Sequence, residues 1–351
     1  MRMVRWLAGV PILASVGLLP AQAASNVHFS HKPIIIAGSA NVAASAINDS
    51  GTIAGTYTSG GTTQGFVLHG TSLVNLPPFC EGGVGLFCVA FPTAINKTGT
   101  VAGYWLDGNV MGFVWQNGAY LAGTEMGMGS EPYPAPQTPV LNNHGEIAFN
   151  YDEGDNQGFP YAGPPTAPTE VQGFQSQDFN YINNLNNHGT FAGHGLLVGA
   201  ISEVFAGTSG NIKYFAVPGA EATFGGFIND FGELAGSYVT TKITEHGNPE
   251  AYHGFLHIGH TYTTFDMPGR VATELDVQAI NNTGRVVGVY TRNDNVQRVF
   301  YFNGTDVYLF GKYPKTDAVH VALNDHGVIL LSDAKSTTTA SFLIHCHGGG
   351  C

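Results

Sequence analysis

The chain has 351 residues, of which 43% are hydrophobic and only 11% are charged, and its formal net charge is −12. Nucleic-acid binding needs clustered Lys and Arg to displace counterions from phosphate, and the 13 basic residues here form no cluster. The composition therefore excludes nucleic acid as a partner and disfavours a membrane surface. The 48 glycines are typical of an all-β protein with many tight turns.

The first 23 residues predict a signal peptide. Arg2 and Arg5 supply the basic start, residues 6–19 are apolar, and Ala21-Gln22-Ala23 has the A-x-A form of a cleavage site. The apolar run is too short for a comfortable membrane span. We therefore expect cleavage near Ala23 and a mature protein that is secreted or periplasmic.

Four cysteines remain in the exported chain, and an oxidising compartment favours their pairing. Three connectivities are open, and the sequence alone does not choose among them. Local pairing is the simplest, with Cys80 joined to Cys88 and Cys346 joined to Cys351.

A short phrase recurs seven times along the chain: Ile or Leu, then Asn-x-x-Gly, then a strand-like run. Its Asn residues are separated by 43 to 52 residues, a period that predicts a solenoid or a propeller. The Asn begins a turn by bonding its side chain to the backbone, and the Gly supplies the positive φ that closes it. The seven Asn residues are Asn48, Asn96, Asn142, Asn186, Asn229, Asn281 and Asn324.

Each repeat predicts four antiparallel strands. In the first repeat a strand with period-two alternation follows the turn Gly, and a Gly-Phe strand at 65–68 and a fourth strand at 72–76 come after it. Four short strands with two hydrophobic faces are typical of a propeller blade. Sustained helical periodicity is absent, which argues against a helical solenoid.

The two ends of the chain complement each other. The seventh repeat lacks a fourth strand, whereas the apolar run at 33–37 precedes the first repeat without partners of its own. We therefore predict that this N-terminal strand completes the last blade and closes the ring. The predicted organisation is a signal peptide over 1–23, a single all-β, seven-bladed β-propeller over 24–345, and a Cys/Gly tail over 346–351.

The repeat phrase resembles that of the bacterial extracellular HAF-repeat proteins. The shared pattern begins with Ala-Ile-Asn-x-x-Gly-x-(Val/Ile)-(Ala/Val)-Gly-x-Tyr, which is followed along the chain by His-Gly-Phe and then by Pro-Gly. The best copies are the stretches 46–66, 228–255 and 279–290. The resemblance covers about 40–344, although Phe149 and Leu331 replace the second Gly and Gly195 replaces the Tyr. It implies secretion and a propeller-like repeat fold, and no reaction.

Three long loops mark one face of the predicted propeller. Residues 77–92, 123–137 and 240–253 lead into an innermost strand or join the second and third strands, so they emerge together on what we call the long-loop face. Loops on rigid scaffolds carry binding function. The candidate ligand-binding residues there are Tyr133, Glu245, His246, Glu250, Tyr252 and His253.

Several other groups have a functional and a structural interpretation. His345, Cys346, His347 and Cys351 could hold Zn or Cu, but oxidation to a disulfide removes the thiolates and is favoured. An acidic run at 152–156 is favoured as a solvated hairpin tip over a calcium loop. Core packing is favoured over sugar stacking for Tyr57, Trp105, Tyr151, Tyr238 and Tyr290. Exposure in turns is favoured for His144, His188 and His326.

These features favour a secreted, non-catalytic binding module that recognises a glycan or protein through the long-loop face. The alternative is a polysaccharide lyase or glycoside hydrolase with its site at the channel mouth, which needs converging carboxylates; a role in surface assembly is a third possibility. No nucleophile elbow, zinc-protease motif or nucleotide loop is present. We predict no cofactor and a monomer.

Overall fold

A computed structural model of the chain confirms the all-β, seven-bladed propeller. Within the part that is described, no helix is long and apolar enough to cross a bilayer. The predicted signal peptide falls outside that part. The structure describes residues 27–79, 88–106, 109–121, 126–130, 139–152, 158–175, 180–196, 202–241, 251–268, 272–314, 318–334, 339–349 and 351.

Each blade places its strands in order from the channel outward. Blade 1 holds β2 (Asn41–Ile47), β3 (Ile53–Ser59), β4 (Thr62–His69) and β5 (Ser72–Asn75). Blade 2 holds β6 (Phe91–Ile95), β7 (Val101–Leu106), β8 (Asn109–Gln116) and β9 (Ala119–Tyr120). Between blades 2 and 3 lies β10 (Met126–Ser130), which pairs with β8 and β12. Blade 3 holds β11 (Val140–Leu141), β12 (Ile147–Asp152), β13 (Gly158–Gly163) and β14 (Thr169–Glu170).

The remaining four blades follow the same order. Blade 4 holds β15 (Tyr181–Leu185), β16 (Phe191–Leu196), β17 (Ser202–Thr208) and β18 (Asn211–Phe215). Blade 5 holds β19 (Ala222–Ile228), β20 (Leu234–Val239), β21 (Tyr252–Ile258) and β22 (Thr261–Phe265). Blade 6 holds β23 (Glu274–Ile280), β24 (Val286–Thr291), β25 (Val296–Phe302) and β26 (Val307–Pro314). Blade 7 holds β27 (Ala318–Leu323), β28 (Val328–Ala334), β29 (Thr339–His347) and β1 (His28–Pro33).

The N-terminal strand closes the ring, as predicted, but it lies earlier in the chain than the apolar run. His28–Pro33 pairs antiparallel with β29, from His28 opposite His347 to Pro33 opposite Phe342. Ile34 and Ile36 instead pack into the core between blades 7 and 1, while Ile35 is exposed. The hydrophobicity of 33–37 therefore reflects a buried connection between blades. The more polar segment before it is held by backbone pairing with β29 and by Phe29, which packs against Tyr301 and Phe310.

The hydrophobic core is divided among the interfaces between blades. The third strands supply its largest members, because the Phe of the Gly-Phe pattern points into the interface. Phe66, Phe113, Phe255 and Phe300 are all fully buried. Blade 4 keeps the same arrangement with Phe205 in β17, although its repeat lacks the Gly-Phe pair in the sequence.

The repeated Asn side chains form a closed ring of hydrogen bonds near the channel. Each Oδ1 accepts from the backbone N–H four residues later, which builds the predicted turn. Each Nδ2 donates to the backbone carbonyl of the corresponding Asn in the next blade, at 2.8–3.1 Å, and Asn324 donates back to Asn48. The sequence predicted the turn but not this contact between blades.

The second Gly of the phrase permits a close approach of the two innermost strands. A Cβ at Gly193 would lie 1.8 Å from the carbonyl oxygen of Tyr181, and one at Gly288 would lie 2.1 Å from that of Asp276. Every blade with this Gly has a β-bulge in its innermost strand. In blade 7, where Leu331 replaces the Gly, β27 and β28 pair without a register shift.

The repeated aromatic and histidine positions follow their structural interpretations. Tyr57, Tyr238 and Tyr290 are buried, and Trp105 packs against the core between blades 1 and 2. His144, His188 and His326 are exposed at their turns. The acidic hairpin at 152–156 falls almost wholly outside the described residues.

Candidate functional site

The structure describes two of the six candidate residues on the long-loop face. Tyr133, Glu245, His246 and Glu250 lie outside the described residues. Tyr252 and His253 begin β21, and the alternation of a strand sends their side chains to opposite faces of blade 5. The sequence grouped these two residues, but the sheet separates them.

His253 is held in local contacts on the side of blade 5 that faces blade 4. Its ring stacks on Tyr238 with a centroid distance of 5.0 Å. Its Nδ1 lies 2.5 Å from a carboxylate oxygen of the exposed Asp266. These contacts make His253 part of a surface cluster rather than of a cavity.

Tyr252 lines a cavity of about 390 Å³ on the long-loop face, between blades 5, 6 and 7. This volume is in the range of small-molecule sites. Its polar wall combines carboxylate, amide and hydroxyl groups with a few apolar side chains. The lining residues are Tyr252, Glu274, Leu275, Asp276, Gln278, Val289, Thr291, Gln297 and Val319. A second cavity, beside Cys88 and Leu76, measures only about 70 Å³ and is too small for such a ligand.

The innermost strand of blade 6 supplies most of the polar groups of the large cavity. Glu274, Asp276 and Gln278 alternate along β23 with Leu275 and Val277, which are buried against blade 5. The period-two geometry of the strand therefore places all three polar side chains on the side of the sheet that faces blade 7. The repeat phrase, which ends this strand, fixes its position at the channel.

Gln278 orients the carboxylate of Asp276. Its Nε2 donates to Asp276 Oδ2 at 2.7 Å, and its Oε1 accepts from the backbone N–H of Val321 in blade 7 at 2.8 Å. The Asp276 side chain is exposed to solvent in the channel, but protein atoms surround it on its other sides. Burial raises the pKa of Asp276 to about 6, and the hydrogen bond from Gln278 partly offsets this effect.

Gln297 and Tyr252 complete the polar wall. The Gln297 Oε1 atom is buried and accepts no hydrogen bond from the described residues. Burial raises the pKa of the Tyr252 hydroxyl, and the nearby Glu274 carboxylate raises it further. A buried acceptor without a donor costs free energy. The side chain of Gln297 lines the cavity, while its Oε1 atom is covered by protein.

Asp276 and His320 occupy equivalent positions in neighbouring blades. Each pairs with the residue five positions after its turn Gly. Burial lowers the pKa of His320, while its hydrogen bond to the Ser45 carbonyl raises it in part. The same position holds aromatic residues in three other blades, namely Phe91, Tyr181 and Phe224.

Sequence reasoning missed the residues of the cavity other than Tyr252, because it searched the long loops. A signal for them was present: the strand Glu-Leu-Asp-Val-Gln-Ala-Ile alternates polar and apolar residues, whereas the innermost strand of blade 1 reads Asn-Val-Ala-Ala-Ser-Ala-Ile. An acidic residue pair on an innermost strand is unusual in this chain. That contrast between repeats points to blade 6.

The C-terminal segment forms a disulfide between Cys346 and Cys351. This bond occupies both sulfurs that the alternative metal site requires. The strand β29 runs through Cys346 to His347, so the tail is shorter than the sequence indicated. His347 stacks on His28 and its Nε2 lies 2.8 Å from Ser30 Oγ. Cys88 is also disulfide-bonded, and its expected partner Cys80 lies outside the described residues.

Solved structures share the propeller architecture. The β-propeller domain of the Trilobed protease from Pyrococcus furiosus has a TM-score of 0.56 and 8% identity, over 88% of this chain and 96% of that one. A chain of the mitotic checkpoint complex has a TM-score of 0.50 and 13% identity, over 97% and 98%. Such identities show the fold alone. The sequence matches no family model and no curated protein.

Proposed function

We propose that this protein is an exported, non-catalytic module that binds a glycan in the cavity between blades 5, 6 and 7. The observation that carries the proposal is the cavity itself, with its volume of about 390 Å³ and its mixed lining. Small-ligand sites are concave and combine apolar walls with a few oriented polar groups. A protein partner would instead need a complementary surface of roughly 800 Å², so the cavity favours a small ligand or the end of a polymer.

The polar groups of the cavity are suited to sugar hydroxyls. Asp276 is oriented by Gln278, and the side chains of Gln297 and Thr291 line the same cavity. Tyr252 adds an aromatic ring, packed 5.9 Å from Phe224 of the innermost strand of blade 5. Flat aromatic side chains bury the apolar faces of sugar rings, and carboxylates and amides accept hydrogen bonds from their hydroxyls.

A glycoside hydrolase is the second candidate, because Glu274 and Asp276 both line the cavity. Such enzymes pair one carboxylic acid of raised pKa with one carboxylate, and a pKa of about 6 would suit Asp276 to the acid role. A lyase is less suited, since it needs a positive group to neutralise a uronate. The lining residues named above include no Lys, Arg or His.

A glycan array probed with the mature chain tests both candidates. Each glycan that binds is then incubated with the protein, and the products are analysed by mass spectrometry. The binding module predicts retention without shorter products. Turnover that is lost in Glu274→Gln and in Asp276→Asn would show that the protein is a glycoside hydrolase and not a non-catalytic binding module. No binding to any glycan would contradict the proposal.

A further inference from the structure

Three histidines lie on one face of the strand pair that closes the ring. The register of β1 and β29 places His28 opposite His347 and Ser30 opposite His345. Residues directly opposite each other, or two positions apart on one strand, point to the same face of a sheet. The imidazoles of His28, His345 and His347 therefore share the face of blade 7 that is turned toward blade 1, at its outer edge.

The three imidazole rings are close neighbours. The rings of His28 and His347 stack with a centroid distance of 4.9 Å, and those of His345 and His347 lie 6.5 Å apart. The rings are not arranged around one point. However, His28 and His347 are exposed, so their side chains can rotate without displacing packed atoms. A shared ion would require rotation of side chains at the surface and no change in the backbone pairing.

Ring nitrogens are free to act as ligands. Within the part of the chain that the structure describes, the rings of His28 and His345 make no hydrogen bond. The Nε2 atom of His347 lies 2.8 Å from Ser30 Oγ, which leaves its Nδ1 atom. A histidine that binds a metal through one ring nitrogen usually forms a hydrogen bond through the other. The contact with Ser30 gives His347 this arrangement.

The sulfur of Cys346 lies on the other side of the sheet. Cys346 alternates with His345 and His347 along β29, and it packs against the core between blades 6 and 7. Its disulfide with Cys351 closes the tail on that side. The alternation of the strand therefore separates the thiols from the imidazoles. A metal site here would use His28 in place of sulfur ligands and would be compatible with the oxidised protein.

We propose that His28, His345 and His347 bind one Cu²⁺ or Zn²⁺ ion at the outer edge of blade 7, with water completing its coordination. Three imidazoles and a water molecule are a ligand set that holds Zn²⁺ in proteins. Imidazole also suits Cu²⁺, which binds nitrogen ligands more tightly than Zn²⁺ does, whereas Ca²⁺ takes oxygen ligands. The site is separate from the cavity between blades 5, 6 and 7, so it stands independently of the proposed function.

Isothermal titration calorimetry of the mature, oxidised chain at about pH 7.5 tests the site, because neutral imidazole is the form that binds a metal. The probes are ZnCl₂, Cu²⁺ supplied as its glycine complex, and CaCl₂. We expect one Zn²⁺ or Cu²⁺ ion per chain, tighter binding of Cu²⁺, and no binding of Ca²⁺. His28→Gln and His345→Gln should each weaken Zn²⁺ binding by about tenfold or more.

His31→Gln is the matched control. His31 lies on the same strand as His28 but on the opposite face, where its ring is 6.2 Å from that of Phe310. This variant should leave the affinity unchanged. Equal losses in His28→Gln and His31→Gln would overturn the inference, since they would show binding spread over surface histidines. Absence of a site that holds one ion per chain would also overturn it. So would tight binding that appears only after reduction of the disulfide and persists in His28→Gln, because thiolates would then be the ligands.

Discussion

The ring of Asn side chains makes a sharp prediction about stability. Asn186 is 6% exposed, and its side chain makes three hydrogen bonds. Its Nδ2 donates to the Asn229 carbonyl in blade 5, and its Oδ1 accepts from the backbone N–H groups of His188 and Thr190. Asn186→Ala removes all three bonds and leaves one carbonyl and two N–H groups without these partners.

The expected loss follows from the environment of those groups. An intramolecular hydrogen bond makes a net contribution of about 1 kcal/mol to the free energy of unfolding. A buried polar group left without a partner costs about 1–3 kcal/mol. The turn N–H groups are only partly buried, so water compensates some of their loss. We therefore expect Asn186→Ala to lower the free energy of unfolding by about 3 kcal/mol.

Urea unfolding of the mature chain measures this loss, followed by both circular dichroism and tryptophan fluorescence. Trp105 and Trp115 lie in blade 2, far from the changed turn in blade 4. Coincident shifts by the two methods would show that the ring unfolds as one unit. Asn211→Ala is the control, because Asn211 is exposed at the turn between β17 and β18, and it should cost less than about 0.5 kcal/mol. A loss in Asn186→Ala no larger than the control would refute the stabilising role of the ring.

Three further predictions concern other parts of the fold. Asp276→Asn should raise the free energy of unfolding at pH 7 by about 1 kcal/mol and have little effect at pH 4. The pKa of Asp276 in the folded protein, about 6, exceeds the ordinary value, so wild-type stability falls as the pH rises from about 4 to 6. The full pKa shift corresponds to about 3 kcal/mol, and solvent in the channel reduces this effect. Urea titrations at the two pH values measure this, and equal effects at both would contradict it. Gly193→Ala should cost about 2–3 kcal/mol, because its Cβ would meet the Tyr181 carbonyl, whereas Gly349→Ala, with open space at that position, should be neutral in the same titration. Replacing Cys346 and Cys351 by Ser should lower stability by about 2 kcal/mol through loss of the short loop closure, and an unchanged unfolding midpoint would be inconsistent with that role.

The propeller was predictable because its signal is repeated seven times. Each Asn-x-x-Gly phrase specifies a turn by local chemistry, and seven copies with complementary ends fix the number of blades. The position of the closing strand was harder to predict from the sequence. Its backbone pairing with β29 involves His28–Pro33, whereas the hydrophobic residues that suggested a strand come after it. Burial of Ile34 and Ile36 between blades explains their composition without a strand.

The cavity was predictable only in part. Loop lengths indicated the face on which the cavity lies, and Tyr252 is one of the residues that line it. Asp276, Gln278 and Gln297 come from blade strands, where the repeat pattern leads one to expect packing residues. Their convergence depends on how β23 and β25 face blade 7, which is a relation between segments and not a property of either one. The closed Asn ring was hidden for the same reason, since its bonds join residues 43 or more positions apart.

A crystal structure of the mature protein with its tightest-binding array glycan would test the central claim most directly. The account predicts electron density for a sugar ring in the cavity between blades 5, 6 and 7, with polar atoms within hydrogen-bonding distance of the Asp276 carboxylate. Density for the glycan elsewhere on the propeller, with this cavity holding only solvent, would contradict the account.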